Sequence, residues 1–291
     1  MKTLICIPVY NEQNVISNLI KKIQKYSDQI VVCDDGSDDD TANKAESSNA
    51  FVIRHKKNLG KGAALKSLFQ YAKNSDADVV VTIDGDGQFL PEEIPKLVKS
   101  LTDNKSDIAI GYRFDDTTEM PTYRKFGNKV LDKMTNLASD LPYRDTQSGF
   151  RAYSKKAIEK INFSTSGFGA DSEILIDASR KDLKISEEKI TVIYKTGNKT
   201  STKNPLSHSG EVITSLIEAI AIRHPLKYLG VSGMLLLILG IFFTIVIISI
   251  FNETRYFSIP FTLLSLGSLI IGLMLLLMSV LLFSINRSIR N

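Results

Sequence analysis

Two stretches near the C-terminus contain no charged residue, and they constrain the fold more than any other feature of this 291-residue sequence. Residues 229–251 and 261–285 are each long enough to cross the hydrocarbon core of a bilayer as a helix. A short polar segment, 252–255, separates them. We therefore predict that residues 228–291 form a transmembrane hairpin and that the lipid bilayer is a partner of this chain.

Basic residues around these spans predict the orientation of the chain. Arg223 and Lys227 precede the first span and Arg287 and Arg290 follow the second, against Arg255 in the turn. Because basic residues favour the cytoplasmic side, we expect a two-span protein of the cell membrane with both termini in the cytoplasm. Glycines in the spans predict close approach of the helices, and the spans also allow a homo-oligomer. These glycines are Gly230, Gly233, Gly240, Gly267 and Gly272.

Before residue 206, short apolar runs alternate with amphipathic helical patterns. The predicted strands are 4–9, 30–33, 51–54, 79–83, 108–111 and 189–194. This alternation predicts an α/β fold with a doubly wound, mainly parallel sheet, which we assign to residues 1–205. We assign residues 206–227 to an amphipathic helix that lies in the membrane interface. A helix of the N-terminal core is the alternative for that segment.

The apolar run 79–83 ends abruptly at two carboxylates, Asp84 and Asp86, with Gly85 between them. In an open parallel sheet, the carboxyl ends of the strands line the crevice where ligands bind. Two neighbouring carboxylates repel each other unless a cation lies between them, and Mg²⁺ or Mn²⁺ prefers oxygen ligands. A turn with solvated acidic side chains is the alternative for this segment taken alone.

Several classes of function find no support in the sequence. The net charge is +4 and no basic run is dense enough for a nucleic-acid surface. Cys6 and Cys33 fall inside apolar runs and are predicted to be core thiols, and the three scattered histidines are predicted to be surface or interface residues. Residues 60–62 lack the residues of a P-loop and there is no GxGxxG motif, so nothing predicts a NAD or FAD site.

Five short motifs follow one another along the N-terminal domain. They are residues 7–12, 34–37, 84–88, 111–113 and 145–150. By these motifs the chain resembles the family 2 glycosyltransferases, specifically the dolichyl- or polyprenyl-phosphate sugar synthases of the dolichol-phosphate mannose synthase type. The resemblance covers about residues 3–205, and the two-span tail fits a known subgroup. The run 201–205 and the interface-type helix that follows it are most similar to archaeal members.

The resemblance implies a GT-A fold and a role for each motif residue. The donor nucleotide would be bound by Pro8, Tyr10, Glu12, Cys33, Asp35, Asp84 and Gly85. A divalent metal, Mg²⁺ or Mn²⁺, would be bound by Asp84, Asp86 and Gln88. The acceptor phosphate would be bound by Arg113, Arg124, Lys195 and Lys203. The catalytic residues would be Asp86, Arg113 and Arg124.

The implied reaction is transfer of a sugar from a nucleotide sugar to dolichyl or polyprenyl phosphate, with inversion at the anomeric carbon. This acceptor is already anionic near neutral pH, so the reaction needs no general base. We predict that Asp145 orients a sugar hydroxyl or an arginine, with a role as base as the alternative. A UDP-linked glucose or N-acetylhexosamine is the expected donor, with GDP-mannose as the alternative.

Three other functions remain open at this point. A processive polysaccharide synthase shares the acidic motifs, but it usually has more spans and a tryptophan-containing segment, whereas this chain has no tryptophan. A transferase acting on another membrane-associated glycan is the second alternative. A membrane-anchored nucleotide-binding module without catalysis is the third.

Overall fold

The computed structural model describes residues 1–27, 29–113, 129, 131–133, 135–137, 139, 142–163, 169–193 and 224–290. Three residues with predicted roles, Arg124, Lys195 and Lys203, lie outside the described residues, as do residues 206–223 of the predicted interface helix. The chain divides into two compact units, residues 1–216 and residues 217–291.

The first unit contains a seven-stranded sheet flanked by helices. Its strands are β1 (Thr3–Val9), β2 (Gln29–Asp34), β3 (Phe51–Arg54), β4 (Val79–Thr82), β5 (Ile108–Tyr112), β6 (Arg151–Ser154) and β7 (Ile185–Lys189). Its helices are α1 (Ile16–Ile23), α2 (Thr41–Ser47), α3 (Lys61–Lys73), α4 (Ile94–Asp103), α5 (Lys155–Lys160) and α6 (Ala170–Arg180). A 3₁₀ turn (Pro91–Glu93) precedes α4, and the described residues between 129 and 139 are also helical.

The strand order is β3-β2-β1-β4-β6-β5-β7, and only β6 runs antiparallel to its neighbours among the described strands. The predicted mainly parallel α/β sheet is thus confirmed. β6 itself was missed, because its sequence Arg151-Ala152-Tyr153-Ser154 has no apolar run. It pairs with both β4 and β5, which brings the loop before it, residues 145–150, to the carboxyl end of β4.

The last predicted strand, 189–194, is wrong by about four residues. The observed β7 has the sequence Ile-Ser-Glu-Glu-Lys and pairs with β5 alone. An edge strand tolerates polar side chains because one side of it faces solvent, so its sequence lacks the apolar run of a central strand. Within the predicted range, Val192 makes only an isolated bridge to Phe89.

Two apolar layers cover the faces of the sheet. Alternate residues of β1 point to opposite layers, Leu4 and Cys6 to one and Ile5 and Ile7 to the other. Burial on both faces explains why the central parallel strands are continuously apolar. Cys6 and Cys33 are both free and buried, as predicted for core thiols.

The second unit contains two long helices, α7 (Val231–Thr254), which follows a π-helical turn (Leu226–Gly230), and α8 (Ile259–Arg290). The segments Leu226–Thr254 and Ile259–Ile285 are long and apolar enough to cross a membrane, with mean hydropathies of 3.0 and 2.7. They include both predicted spans. Their side chains are largely exposed within the protein, as expected for helices whose surroundings are apolar.

Small residues allow these two helices to approach closely. A Cβ atom placed on Gly233 would lie 2.7 Å from the carbonyl oxygen of Gly272, so the backbones are in direct contact there. Farther along, the hydroxyls of Thr244 and Ser265 are 2.7 Å apart. The predicted role in helix contact is confirmed for Gly233 and Gly272. It is wrong for Gly267, because a Cβ atom placed there would have nothing within 4 Å.

Candidate active site

The loops that follow β1 and β2 are joined by hydrogen bonds. The backbone N–H of Asn11 donates to Ser37 Oγ at 2.8 Å, and the N–H of Asp38 donates to Asn11 Oδ1 at 2.9 Å. Asn11 has a φ of 56°, a left-handed conformation that asparagine tolerates better than most residues. These contacts bring Tyr10 and Glu12 of the first motif next to the second motif, as the sequence predicts for one binding site.

Asp35 lies at the carboxyl end of β2 with its side chain almost fully buried. Its Oδ1 atom accepts from the N–H of Leu59 at 3.0 Å, and its Oδ2 atom accepts from the N–H of Gly60 at 2.7 Å. His55 Nδ1 is 2.7 Å from Oδ1. Asp35 therefore fixes the loop that leads into α3, in addition to its predicted contact with the nucleotide.

His55 corrects the prediction that the histidines are surface or interface residues. It follows β3, whose parallel pairing with β2 sets Arg54 opposite Asp34, and its side chain turns inward with only 11% exposed. Its Nε2 atom is 2.9 Å from Ser67 Oγ on α3 and 3.6 Å from Cys33 Sγ. Sequence spacing gave no sign of this cluster, because the pairing of β2 with β3 creates it.

Cys33 was expected to contact the nucleotide, but its side chain is wholly buried. Burial, followed by the charge of Asp35, raises the pKa of the Cys33 thiol to about 12, so the thiol stays protonated. A nucleotide contact at this position can be made only by the main chain. Pro8 is likewise buried in β1, while Tyr10 and Glu12 are partly exposed.

Gly85, between Asp84 and Asp86, and Gly149, in the 145–150 motif, both lie in closely packed positions. A Cβ atom on Gly85 would lie 2.3 Å from Val9 Cγ1, so the glycine admits a neighbouring side chain of β1. A Cβ atom on Gly149 would lie 2.4 Å from both carboxylate oxygens of Asp84. Asp84 therefore packs directly against the 145–150 motif, and Gly149 is a site residue to which the sequence assigned no separate role.

Lys61 and Asp171 are functional candidates that the sequence did not single out. The Lys61 ammonium lies 2.9 Å from Asp84 Oδ1 and 2.9 Å from Asp171 Oδ2. Burial lowers the pKa of Lys61, but the carboxylates of Asp171 and Asp84 outweigh burial and hold it above the ordinary value. The one sequence signal was the position of Lys61 at the start of a helix, next to Gly60 and Gly62.

Negative charge is concentrated around Asp86. Burial and then the charge of Asp84 raise the pKa of Asp86 to about 6. Burial, Asp86 and Asp39 raise the pKa of Glu12 to about 7. Lys61 and Arg113 act in the opposite direction on Asp86, so both cations lie within electrostatic range of it. This arrangement stabilises an added positive charge at the carboxyl end of β4.

The residues fit a divalent metal that is shared with a ligand. Among the described residues, no group of three or more His, Cys, Asp or Glu side chains could enclose a metal ion. Mg²⁺ commonly takes one or two carboxylates and completes its shell with substrate phosphates and water. Asp84 and Asp86 supply two such carboxylates, and the buried Gln88, whose N–H donates to Asp86 Oδ1 at 3.0 Å, follows on the same turn.

Arg113 is held at the end of β5 by Asp145. Its Nε and Nη2 atoms donate to the two carboxylate oxygens of Asp145 at 2.7 and 2.9 Å, and Asp145 is fully buried. The Arg113 backbone N–H donates to the same carboxylate at 3.0 Å. Of the two roles predicted for Asp145, orienting a sugar hydroxyl or an arginine, the structure shows the contact with an arginine, which fixes the direction of the guanidinium.

Arg151 connects the 145–150 loop to the start of α6. The sequence did not single it out as a candidate. It is fully buried on β6, and its Nη2 atom donates to the carbonyl of Thr146 at 2.7 Å. Its Nη1 atom donates to the carbonyl of Asp171 at 2.9 Å. The arginine therefore fixes the 145–150 loop to the start of α6, where Asp171 contacts Lys61.

Comparisons with known proteins agree with this geometry. Residues 4–162 match the family described as "Glycosyl transferase family 2". The chain is 31% identical over 211 residues to a UDP-N-acetylglucosamine–dolichyl-phosphate N-acetylglucosaminyltransferase of Methanococcus voltae, covering 65% of this chain and 84% of that protein. It is 37% identical over 191 residues to a dolichol-phosphate mannosyltransferase of Pyrococcus furiosus, covering 60% of this chain and 53% of the relative.

A solved structure supports the fold. Glucosyl-3-phosphoglycerate synthase of Mycobacterium tuberculosis, in complex with Mn²⁺ and UDP-glucose, has a TM-score of 0.60 and 21% identity to this chain. The match covers 76% of this chain and 79% of that one.

Proposed function

The chain belongs to glycosyl transferase family 2, and we propose that it transfers a sugar from a nucleotide-sugar donor to dolichyl or polyprenyl phosphate, with inversion at the anomeric carbon. One observation carries the proposal. Asp84 packs against Gly149 of the 145–150 loop, and the buried Asp145 of the same loop orients Arg113, so a candidate anion-binding group and a candidate metal ligand are held by one loop. The named activities of the Methanococcus and Pyrococcus relatives support the same pairing of donor and acceptor.

The donor half of the reaction is assigned to the ends of β1, β2 and β4. Asp84 and Asp86, with Gln88, would hold a divalent metal, which supplies charge neutralisation for the diphosphate of the donor. The glucosyl-3-phosphoglycerate synthase complex with Mn²⁺ and UDP-glucose supports this choice of metal and ligand. Lys61, which contacts Asp84, would add a second positive charge to stabilise the departing diphosphate.

The acceptor half is assigned to the end of β5. A phosphate monoester carries one to two negative charges at neutral pH, and a forked guanidinium binds it through two hydrogen bonds. One phosphate oxygen attacks the anomeric carbon, the bond from that carbon to the nucleoside diphosphate breaks, and the electron pair leaves with the diphosphate. No proton has to be removed from the nucleophile, so Asp145 is free to orient Arg113. Arg124, Lys195 and Lys203 are proposed to add further cations.

The two apolar helices support a bilayer as the place where the chain meets its acceptor. A polyprenyl phosphate is held in a bilayer by its hydrocarbon tail, and helices of this length and hydropathy fit the same bilayer. We propose the cytoplasmic face for the catalytic unit, on the distribution of basic residues around the spans.

The test is direct product analysis with the full-length protein in membranes. Polyprenyl phosphate is incubated with radiolabelled UDP-glucose, UDP-N-acetylglucosamine or GDP-mannose, with Mg²⁺ or Mn²⁺ and with EDTA. We expect a mild-acid-labile glycolipid with one sugar per phosphate and an inverted anomeric centre, and no product with EDTA. Transfer to a glycan in the same membranes without any lipid-phosphate sugar would contradict the proposed acceptor. Binding of nucleotide without turnover on any acceptor would indicate the non-catalytic alternative.

A further inference from the structure

A polar cluster of Asp35, His55 and Ser67 lies at the end of β2, whereas the proposed metal-binding pair, Asp84 and Asp86, follows β4. Three N–H groups converge on the Asp35 carboxylate, those of Leu59 and Gly60 and the imidazole of His55. Because the two backbone N–H groups can only donate, the carboxylate is the acceptor. The His55 Nδ1 atom then carries a proton and donates to it as well.

The distribution of these donors between the two oxygens is unequal. Oδ1 accepts two of them, from Leu59 at 3.0 Å and from His55 at 2.7 Å, whereas Oδ2 accepts only that of Gly60, at 2.7 Å. A carboxylate has about four acceptor positions, two on each oxygen. One position therefore remains, on Oδ2, and the Asp35 side chain is only 4% exposed. Asp35 has room for a single further donor.

A single remaining acceptor position on Asp35 favours a base that offers one N–H donor over a base that offers two. Uracil presents one N–H, at N3, between two carbonyl groups. Guanine presents two adjacent donors, N1–H and the N2 amino group, which bind a carboxylate best when both of its oxygens are available. We infer that His55, by occupying the second position on Oδ1, is a specificity-determining positioning residue that makes this site select a uracil nucleotide over a guanine nucleotide. The inference rests on the proposed function and on the contact with the donor nucleotide that the sequence predicts for Asp35, which we assign to the base.

The surroundings of His55 keep it in this role. Its Nε2 atom lies 2.9 Å from the Ser67 hydroxyl on α3, and in the neutral imidazole with its proton on Nδ1 this nitrogen is the acceptor. On the other side, Gly36 has a φ of 73°, and a Cβ atom there would lie 2.4 Å from the backbone of Lys57. The backbone two residues after His55 is thus closely packed against Gly36, next to Asp35.

The first measurement needs no variant. UDP and GDP, each with Mn²⁺, are titrated into the full-length protein in detergent by calorimetry. We expect UDP to bind at least about tenfold more tightly than GDP, since leaving one guanine donor unpaired in a buried site costs about as much as a hydrogen bond to a charged group. Equal binding, or tighter binding of GDP, would overturn the inference.

The second measurement compares variants of His55. His55→Leu removes the imidazole donor and is expected to reduce the ratio of UDP to GDP affinity at least about fivefold, with a raised donor KM and little change in kcat. His55→Asn keeps an N–H near the Nδ1 position and is expected to restore most of the ratio. His224→Leu is the matched control, because His224 belongs to the other unit and has no assigned role. Thermal midpoints verify that each variant is folded.

The outcomes separate this inference from the proposed function. If His55→Leu weakens UDP and GDP equally, His55 has only a structural role and the inference is overturned, while lipid-phosphate glycosylation by the wild-type protein still stands. If neither nucleotide binds and no sugar is transferred, the proposed function fails and the inference fails with it.

Discussion

The two acidic strand ends look alike in the sequence but differ in how their charge is balanced. At the end of β2, the carboxylate of Asp35 accepts three N–H groups and is almost fully buried. At the end of β4, Asp84 and Asp86 repel each other, the Lys61 ammonium contacts Asp84, and the pKa of Asp86 is still raised by burial and by Asp84. A carboxylate surrounded by N–H groups can recognise a neutral ligand edge, whereas a repelling pair stabilises a cation.

The largest effect is expected from removing charge at β4. We expect Asp86→Asn, and equally Asp84→Asn, to lower kcat at least about 1000-fold, because each removes a proposed metal ligand and its charge. Asp35→Asn is expected to raise the donor KM about 10- to 100-fold with smaller loss of kcat. Initial rates against donor concentration distinguish the two patterns.

Asp76→Asn is the control for these substitutions, since Asp76 is exposed and pairs with Lys2 at the surface. It should leave both kinetic constants unchanged. If Asp35→Asn abolished kcat while Asp86→Asn affected only KM, the assignment of the two strand ends would be reversed.

A smaller effect should follow from displacing Asp84 without changing its charge. Gly149→Ala places a methyl group where the Asp84 carboxylate now lies, 2.4 Å from both oxygens. The carboxylate must move, and a displacement of about 1 Å at a reacting centre costs on the order of 100-fold in rate. Activity measured over a range of Mn²⁺ concentrations should show half-saturation at a higher Mn²⁺ concentration as well as a lower maximum.

Gly267→Ala is the matched control, because nothing lies within 4 Å of the added methyl group. A Gly149→Ala protein with wild-type metal dependence would show that Asp84 tolerates the shift and that its position is not critical.

Asp145 allows a third test of how a buried carboxylate acts. Asp145→Asn keeps the shape but weakens the paired hydrogen bonds to Arg113. We expect measurable activity with kcat/KM for the lipid acceptor reduced about tenfold or somewhat more, and with donor KM unchanged. Asp107→Asn provides a control, since Asp107 is also buried and pairs with Lys156 away from the site. Loss of activity as complete as in Asp86→Asn would identify Asp145 as a participant in the chemistry.

The comparison also explains what the sequence could predict. Asp35, Asp84 and Asp86 were found because each closely follows an apolar strand, and the position of a strand end is a local property. Lys61 and Asp171 were missed because they are 110 residues apart and meet only in the folded chain. His55 was missed for the same reason, since its partner on β2 is set by strand pairing. The position of β7 was predicted wrongly because an edge strand does not need an apolar sequence.

The smallest effect is expected at Asp132, a buried carboxylate that accepts two hydrogen bonds where Asp35 accepts three. It is buried and accepts from Thr146 through the backbone N–H at 2.8 Å and the hydroxyl at 2.7 Å. Burial outweighs these two donors and raises the pKa of Asp132 to about 6, from an ordinary value of 3.8. The folded state therefore binds a proton more tightly than the unfolded state, so this group's contribution to stability falls as pH rises from about 4 to about 6.

Asp132→Asn removes that pH dependence, because asparagine stays neutral and its carbonyl oxygen can still accept from Thr146. Relative to the wild-type protein, we expect the variant to gain on the order of 2 kcal/mol of unfolding free energy between pH 4.5 and pH 8. Thermal midpoints of both proteins at the two pH values measure this difference. A constant difference at both values would mean that the two hydrogen bonds from Thr146 keep this carboxylate ionised despite its burial.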